Sequence, residues 1–380
     1  MPLSLVPDAP GWRPDWEGLL DAFPVLAPLA LVPQTARFHG EGDVLTHTRM
    51  VVETLVASPR WRRLDRPARR IVFLAALLHD IGKAKTTTET PDGALTSRGH
   101  SARGVRMARR LLWELEVPFR EREEIVNLIR YHQCPFWAFE RDDRDRLIRE
   151  ISLNVPCDRL AILADADARG RICSDMESIT TAIALFEELA ESLDCWETPA
   201  RFATDHARFL YFRDKWPTPE YAPHEDFNGH ITILSGLPGA GKDHYIGKRH
   251  ADRPVISLDR IREECGVHPG KRKQGPVVRI SRDGAREHLR TGTPFVWNAT
   301  NVSLGIRRQV VDLAWRYHAE IELVYIEPSM ADLFAQNRNR NAAVPDKVIW
   351  DLMDHRLDVP DPWEAHQVTY VADRAPGSEK

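Results

Sequence analysis

Residues 230–243 read His-Ile-Thr-Ile-Leu-Ser-Gly-Leu-Pro-Gly-Ala-Gly-Lys-Asp. The apolar run Ile231–Ser235 predicts a buried strand, and the glycines after it free backbone N–H groups to surround a phosphate. A helix beginning near Asp243 would direct its positive N-terminus at the same anion, and Lys242 would reach the β- and γ-phosphates. Strand, glycines, lysine and helix stand in the register of a P-loop. The predicted ATP-phosphate cradle consists of Gly236, Leu237, Pro238, Gly239, Ala240, Gly241, Lys242 and Asp243.

Asp243 stands where a P-loop normally has Ser or Thr, whose hydroxyl binds Mg²⁺. A carboxylate there could hold the ion directly or through water, or it could be only an acidic residue at the helix N-terminus. Its negative charge beside the phosphates would strengthen the dependence on a divalent cation.

The spacing of apolar residues in the sequence changes near Gly229. Downstream, short apolar strands alternate with helices such as residues 306–317, which is typical of a parallel sheet covered by helices on both faces. The predicted strands are residues 230–236, 254–259, 294–300, 320–327 and 367–372. Upstream, apolar residues recur at three- and four-residue spacing, which predicts an all-α bundle. Its predicted helices are residues 43–56, 67–79, 99–115, 121–132, 144–151, 158–168 and 178–193.

A chain of 380 residues favours two domains. Three prolines and a closing Asn-Gly pair in residues 216–229 predict a stiff linker. We expect an irregular arm over residues 1–34, a helical domain over residues 35–215, the linker, and an α/β domain over residues 230–380.

Composition narrows the function classes. No apolar run is long enough to span a membrane, and the amino terminus lacks the basic and apolar regions of a secretory signal. The five cysteines are scattered without a Cys-x-x-Cys pair, which favours free thiols in a reducing cytoplasm. The formal net charge of −4 gives no global signature of nucleic-acid binding, so phosphate-backbone contacts would need local patches.

Candidate acceptor-site residues follow the cradle. Asp259 comes at the carboxyl end of the second strand, where an acid faces the ligand crevice and could accept a proton from an attacking hydroxyl. Arg262 could hold an acceptor phosphate, although a surface i,i+3 ion pair would look the same. Arg338 and Arg340 could form a lid that neutralises a transferring phosphoryl group, or belong to a solvated loop. The basic loop 271–273 could meet a nucleic-acid backbone, or be only solvated.

The helical half carries an ordered set of histidines and acids: His47, His79, Asp80, His100, His132 and Asp167. Placed on separate helices, they could converge inside the bundle, where imidazoles and carboxylates suit Mn²⁺, Fe²⁺, Co²⁺, Ni²⁺ or Zn²⁺. Such an ion would lower the pKa of a bound water and polarise a phosphoryl oxygen, as phosphoester hydrolysis requires. Each histidine alone is more often a core or surface residue, but the order H…HDxGK…H…H…D rarely arises by chance.

Several segments of the second half resemble one enzyme branch. GLPGAGKD, DRIR, WNATN and RNRNAAVP, in that order and spacing, resemble the 5′-hydroxyl polynucleotide kinase branch of the P-loop kinases over nearly all of residues 230–360. The resemblance implies catalytic roles for Lys242, Asp259, Arg262, Arg338 and Arg340, with Arg262 on the acceptor phosphate. It also implies ATP with Mg²⁺, and it leaves open which lid arginine meets the γ-phosphate.

The first half is similar to another superfamily. LLHDIGKAK, RGHSARGV and ADADARGR resemble the HD phosphohydrolases over about residues 40–175, most closely the HD module of bacterial tRNA nucleotidyltransferases. The implied metal ligands are His47, His79, Asp80 and Asp167, with Asp165 as a rival for the last place. The implied positions for a second ion or the phosphate are His100 and His132. The possible phosphate contacts are Lys83, Arg169 and Arg171, of which the two arginines could equally be ion-pair partners.

Joined in this order, the halves resemble the bacterial HD-domain polynucleotide kinases, which are bifunctional end-healing enzymes. That resemblance implies removal of 2′,3′-cyclic phosphate and of 2′- or 3′-phosphate from RNA or DNA ends. It also implies ATP-dependent phosphorylation of 5′-hydroxyl ends, with a nucleic-acid ligase acting downstream. Three alternatives stay open: an HD nucleotide hydrolase fused to a nucleoside or metabolite kinase, an HD domain that only binds nucleic acid, and an ATP-dependent scaffold.

Overall fold

The structure, a computed structural model, describes residues 5–35, 39–213, 218–267, 274–340 and 343–372. The chain divides into two compact units, Met1–Ala200 and Arg201–Lys380. The first is helical and the second contains a parallel sheet, so the predicted fold class is confirmed. The helices and strands predicted from the sequence all appear, with ends within two residues of those expected.

The first unit is built from short and medium-length helices. They are α1 (Trp16–Ala22), α2 (Val44–Ala57), α3 (Pro59–Arg63), α4 (Arg66–Leu78), α5 (Lys83–Thr86), α6 (His100–Glu114), α7 (Phe119–Tyr131), α8 (Arg144–Ser152), α9 (Cys157–Arg169) and α10 (Met176–Ser192). The 3₁₀ helices given bounds in the described part of this unit are Pro24–Leu31, Cys134–Phe136 and Ala138–Glu140. A hairpin pairs β1 (Thr88–Glu89) with β2 (Leu95–Thr96) in antiparallel fashion.

Helix α4 is the centre of this unit, because every residue from Ile71 to Leu78 is buried. Asp65 fixes its start by accepting a hydrogen bond from the Ala68 N–H at 2.8 Å. Asp43 caps α2 in the same way, with 2.9 Å between its Oδ1 and the Thr46 nitrogen. The two caps set where each helix begins and therefore which side chains reach the interior.

The amino-terminal arm differs from the expectation of an irregular segment. Asp15 accepts a hydrogen bond from Gly18 N–H at 3.1 Å, which allows α1 to form. Leu19, Leu26 and Leu29 are fully buried. The arm is therefore part of the helical core.

The second unit alternates helices with strands. Its helices are α11 (Asp205–Arg213), α12 (Lys242–Arg249), α13 (Leu258–Glu264), α14 (Gly275–Thr291), α15 (Leu304–Trp315), α16 (Met330–Arg338) and α17 (Asp346–His355). Within the described residues, five strands form one parallel sheet in the order β4-β5-β3-β6-β7. They are β3 (His230–Ser235), β4 (Val255–Ser257), β5 (Phe295–Asn298), β6 (Glu320–Ile326) and β7 (Gln367–Val371).

The sheet register brings functional segments to one edge. Leu234 at the end of β3 pairs with Asn298 at the end of β5, and Ser257 at the end of β4 pairs with the same asparagine. Because the strands are parallel, the segments that follow them meet at the carboxyl edge, where ligands bind in open α/β sheets. The glycine-rich turn, Asn298 and the start of α13 therefore share that edge.

The boundary between the units lies upstream of the expected linker. Helix α11, which the sequence pattern placed in the helical domain, buries Phe209 and Leu210 in the same core as Ile231 and Phe295. Its apolar residues complete the sheet's core, which helical periodicity alone does not reveal. None of the helices in the described part of the chain combines the length and apolar character that a bilayer crossing needs.

Gly82 lies where the start of α5 packs closely against α6. A Cβ added at Gly82 would lie 2.0 Å from the His100 carbonyl oxygen and 2.7 Å from the Gly104 nitrogen. We expect Gly82→Ala to cost about 1–3 kcal/mol through overpacking, which corresponds to roughly 3–10 °C in Tm. Thermal unfolding followed by circular dichroism would measure this, with Gly11→Ala, whose Cβ would meet nothing within 4 Å, as the control. Equal Tm values for both variants would contradict the proposed close packing.

Candidate functional site

The helical unit gathers its predicted ligands at the ends and inner faces of separate helices. α2 presents His47, the end of α4 presents His79 and Asp80, and α9 presents Asp167. α6 begins with His100, and α7 is followed by His132. All six side chains are buried, with His100 the most exposed at 8%.

Asp80 is the centre of this cluster. Its Oδ2 lies 3.2 Å from His79 Nε2 and 3.8 Å from His47 Nε2, and its Oδ1 lies 3.5 Å from His100 Nε2. Two groups of possible ligands, His47–His79–Asp80 and Asp80–His100–His132, each have their ligand atoms within 4.8 Å of one another. Asp80 belongs to both groups, so the arrangement has room for two adjacent sites that share one carboxylate.

Backbone carbonyls fix the orientation of three imidazoles. The Nδ1 atoms of His79, His100 and His132 lie 2.8, 3.0 and 2.7 Å from the carbonyl oxygen three residues earlier. A carbonyl oxygen only accepts, so each Nδ1 carries a proton, and in the neutral form of each ring the lone pair is then on Nε2. The lone pairs are thus available as ligands.

The pKa shifts of Asp80 and His132 suit metal binding. Burial would raise the pKa of Asp80, but Lys83, His79 and His100 outweigh it and hold that pKa well below its usual value. Burial, reinforced by His79, lowers the pKa of His132 to about 3. A charged carboxylate and neutral imidazoles are the forms that bind a metal ion.

Two orphaned atoms support the fit to a divalent ion. His79 Nε2 and Asp80 Oδ1 are buried and make no hydrogen bond within the described ranges. Buried polar atoms are normally satisfied, so an unsatisfied pair in one cluster points to a missing partner. The donor set of imidazole nitrogens and carboxylate oxygens fits a borderline transition-metal ion.

The structure separates Asp167 from its rival. Asp167 is fully buried with Oδ1 3.1 Å from His47 Nε2, whereas Asp165 pairs with the exposed Arg169 at 2.8 Å. Arg171 makes two close contacts with Asp167, at 2.7 and 2.8 Å. Arg169 and Arg171 are therefore ion-pair partners of aspartates in this structure.

A cavity of about 420 Å³ opens beside the cluster. It is lined by the cationic side chains of Lys83, Arg98 and Arg171, together with His39 and His100. Lys83 Nζ lies 2.7 Å from Asp80 Oδ2 and donates to Gln34 Oε1 at 2.8 Å. Cations beside a ligand cluster suit an anionic phosphate ester. Arg98 was not assigned a role from the sequence, although it immediately precedes the Gly-His100 pair.

The glycine-rich turn of the second unit has the geometry of a phosphate cradle. At Gly239, φ is 86° and a Cβ would lie 2.6 Å from the Leu333 carbonyl oxygen, so only glycine fits without strain. At Gly236, a Cβ would lie 2.6 Å from the Ile326 carbonyl oxygen. Lys242 Nζ donates to the carbonyl oxygens of Gly236 and Leu237 at 2.8 and 3.0 Å. The lysine thus folds back over the turn, where a bound phosphate would compete for its protons.

Residues at the end of β5 and just after it brace this cradle. Asn298 Nδ2 donates to Asp243 Oδ1 at 2.7 Å, and Gly236 N–H donates to the Thr300 carbonyl at 3.0 Å. Asn301 Nδ2 donates to the Leu234 carbonyl at 2.7 Å. Sequence reasoning assigned Asn298 no function. Its position at the end of a strand beside the P-loop strand was the available signal.

The acceptor-side residues also meet. Arg262 Nη1 lies 2.6 Å from Asp259 Oδ1, and Arg340 Nη2 lies 3.5 Å from Asp259 Oδ2. Arg338 is 63% exposed and instead faces Asp346 at 3.8 Å. Of the two lid arginines, Arg340 is the one beside Asp259. The basic loop 271–273 lies outside the described residues.

Family comparisons agree with both geometries. A family model described as HD domain matches residues 44–171, and one described as AAA domain matches residues 231–360. The chain joins an HD domain to a P-loop kinase-like domain. The HD match spans all six clustered ligands, and the second match spans the cradle, Asp259 and both lid arginines.

Curated relatives include multifunctional CCA proteins. That of Ralstonia nicotianae is 32% identical over 204 residues, covering 51% of this chain and 44% of the relative. That of Xanthomonas oryzae pv. oryzae is 34% identical over 170 residues, covering 42% of this chain and 38% of the relative. The chain therefore spans less than half the length of these relatives. A gluconokinase structure from Sinorhizobium meliloti is 17% identical, covers 40% of this chain and 85% of its own, and superposes with a TM-score of 0.28.

Lys242 gives the kinase-like domain a pH signature. Burial lowers the pKa of this lysine to about 8, with Asp259 opposing the shift. Bound phosphates favour the charged ammonium, so ATP binding should raise the pKa and take up about half a proton at a pH near 8. Uptake should vanish near pH 6, where Lys242 is already charged.

Calorimetric titration with ATP in buffers of different ionisation enthalpy would measure this proton uptake. Lys242→Met should abolish the uptake, while Lys248→Met, an exposed residue of the same helix, should retain it. Uptake of the same size in Lys242→Met would assign the linkage to another group.

Proposed function

We propose that this chain is a bifunctional end-healing enzyme for nucleic acids. Its HD domain removes 2′,3′-cyclic phosphate and 2′- or 3′-phosphate, and its kinase-like domain phosphorylates 5′-hydroxyl ends with ATP and Mg²⁺. One observation carries the proposal: the same chain contains two sites suited to phosphate chemistry. The helical unit has a His/Asp cluster of the kind that binds metal ions, next to a cavity lined by cationic side chains. The second unit has a phosphate cradle and an aspartate, Asp259, that is flanked by two arginines. Relatives named for CCA, a nucleotide sequence, support a nucleic-acid substrate.

In the HD domain, His47, His79, Asp80 and Asp167 would hold one divalent ion, and His100 with His132 offers a place for a second ion or the phosphate. When bound, the ion supplies an activated hydroxyl for attack and Lewis-acid polarisation of the phosphoryl group. Lys83, which lies against Asp80 and lines the cavity, offsets the charge of the substrate phosphate. The backbone carbonyls that accept from Nδ1 of His79 and His132 fix these rings so that Nε2 is the nitrogen left for the ion.

In the kinase-like domain, the backbone of residues 236–241 and Lys242 bind the ATP phosphates. Asp259 accepts the proton of the attacking 5′-hydroxyl, and Arg262 holds the phosphate next to that nucleotide. Arg340 is assigned to the γ-phosphate in preference to Arg338, because Arg340 is the one that reaches Asp259. Arg262 and Arg340 both pair with Asp259 in the structure, so substrate phosphates must draw them away before Asp259 acts as the base.

A direct test uses an RNA strand with a 2′,3′-cyclic phosphate at one end and a 5′-hydroxyl at the other. With ATP, Mg²⁺ and a series of transition metals, the wild-type chain should convert both ends, as read by mass spectrometry. A matched DNA strand with a 3′-phosphate would compare the two nucleic acids. An HD nucleotide hydrolase fused to a metabolite kinase would instead act on free nucleotides and nucleosides, and its kinase rate would lack the steep fall with salt that polynucleotide binding causes.

If the two activities use separate sites, a substitution in one site should remove one activity and leave the other. Asp80→Ala should lower phosphate removal about 100-fold or more and leave 5′ phosphorylation intact, and Asp259→Ala should do the reverse. Asp92→Ala and Asp283→Ala change exposed aspartates of the respective units and should leave both activities unchanged. Loss of both activities in either single variant, in a folded protein, would rule out two independent sites.

Asp243 predicts an unusual cation dependence. Asn298 holds the Asp243 carboxylate, which could bind the Mg²⁺ of the nucleotide. In that case Asp243→Asn should raise the Mg²⁺ concentration that gives half-maximal kinase activity by about tenfold. The same variant should bind Mg²⁺-free ATP more tightly, because a like charge beside the phosphates is gone. Asp252→Asn is the control. Wild-type values in both measurements would show that Asp243 is only a helix N-terminal charge.

A further inference from the structure

The turn before α2 holds a buried carboxylate to which sequence reasoning assigned no role. The side chain of Glu41 is only 1% exposed. Burying a carboxylate is costly unless it is paired, so its contacts indicate what it is there for.

Glu41 contacts two imidazoles and a distant turn. Its Oε1 lies 2.8 Å from His39 Nδ1 and 2.9 Å from His47 Nδ1. Its Oε2 accepts a hydrogen bond from the Ile172 N–H at 3.0 Å. The Gly170 carbonyl oxygen also approaches His47 Nδ1, at 3.3 Å.

These contacts determine which nitrogen of His47 faces the cluster. His47 Nε2 lies 3.1 Å from Asp167 Oδ1 and 3.8 Å from Asp80 Oδ2. A carboxylate at the opposite nitrogen keeps the proton on Nδ1, orients the ring and makes Nε2 a better ligand. We propose that Glu41 is the positioning residue of the HD metal centre and holds His47 for coordination through Nε2.

The same carboxylate also fastens the turn behind Asp167. Gly40 N–H donates to the Ile172 carbonyl at 2.8 Å, beside the contact between Glu41 and the Ile172 nitrogen. Arg171 in this turn holds Asp167, and a Cβ at Gly170 would lie only 2.7 Å from a side-chain atom of Val51 on α2. Glu41 thus aligns two ligands from different helices, His47 directly and Asp167 through the turn.

The inference rests on the proposed metal site, and the test separates the two. Chelator-treated full-length protein is titrated calorimetrically with Mn²⁺ and, separately, with Co²⁺, whose absorption bands report the ligand field. Glu41→Gln keeps the shape of the side chain and removes its charge. It should weaken the Kd for either ion about 10–100-fold and change the Co²⁺ spectrum. Glu53→Gln, the same change at an exposed position of α2, should match the wild type.

Each outcome has a distinct meaning. A wild type that binds neither ion would refute the metal site itself. A wild type that binds, with Glu41→Gln binding equally well, would overturn the role of Glu41 alone.

A measurement on the wild-type chain applies even if Glu41→Gln fails to fold. In Zn²⁺-loaded protein labelled with ¹⁵N-histidine, His47 should show a protonated Nδ1 and an Nε2 shifted by the metal. Coordination through Nδ1, or a ring with both nitrogens protonated, would overturn the proposal.

Discussion

The helical domain depends on one buried negative charge, the carboxylate of Asp80. An isolated carboxylate in a protein interior is very costly, so the fold must surround it with compensating groups. Lys83 does so at 2.7 Å, and three imidazoles approach it from α2, the end of α4 and the start of α6. The packing serves this arrangement: Gly82 has no room for a Cβ, because the His100 backbone lies against it. A divalent ion would supply positive charge to the carboxylate oxygens of the cluster that these groups leave without a cationic partner.

The kinase-like domain has the opposite electrostatic requirement, because its cradle is built to bind the negatively charged phosphate of a ligand. Its parallel register places the ends of β3, β4 and β5 at one edge, so that a backbone cradle, an acid and a bracing asparagine lie together. Close contacts of the cradle glycines with the Ile326 and Leu333 carbonyls hold the turn in place. The site is therefore preorganised by backbone packing, whereas the His/Asp cluster is preorganised by side-chain charge.

Much of this could be predicted from the sequence, because apolar periodicity and short motifs report local structure directly. The choice of Asp167 over Asp165 came from the family resemblance and not from this periodicity. The two lie two positions apart on α9 and so point to nearly opposite faces, and only packing decides which face is inside. Arg338 and Arg340 posed the same difficulty at the end of α16. The domain boundary was misplaced because α11 looks like any amphipathic helix until its sheet partner is known. The sequence predicted no role for Glu41 or Asn298, because each makes its key contact with a residue far away in the sequence.

We propose that Asp80 and its neighbours form a divalent-metal centre. Anomalous diffraction from crystals grown with Mn²⁺, recorded on both sides of its absorption edge, tests this most directly. We expect a peak within coordination distance of Asp80, His79, His47 and Asp167. Fully occupied Mn²⁺ elsewhere in the chain, with no peak in this cluster, would contradict it.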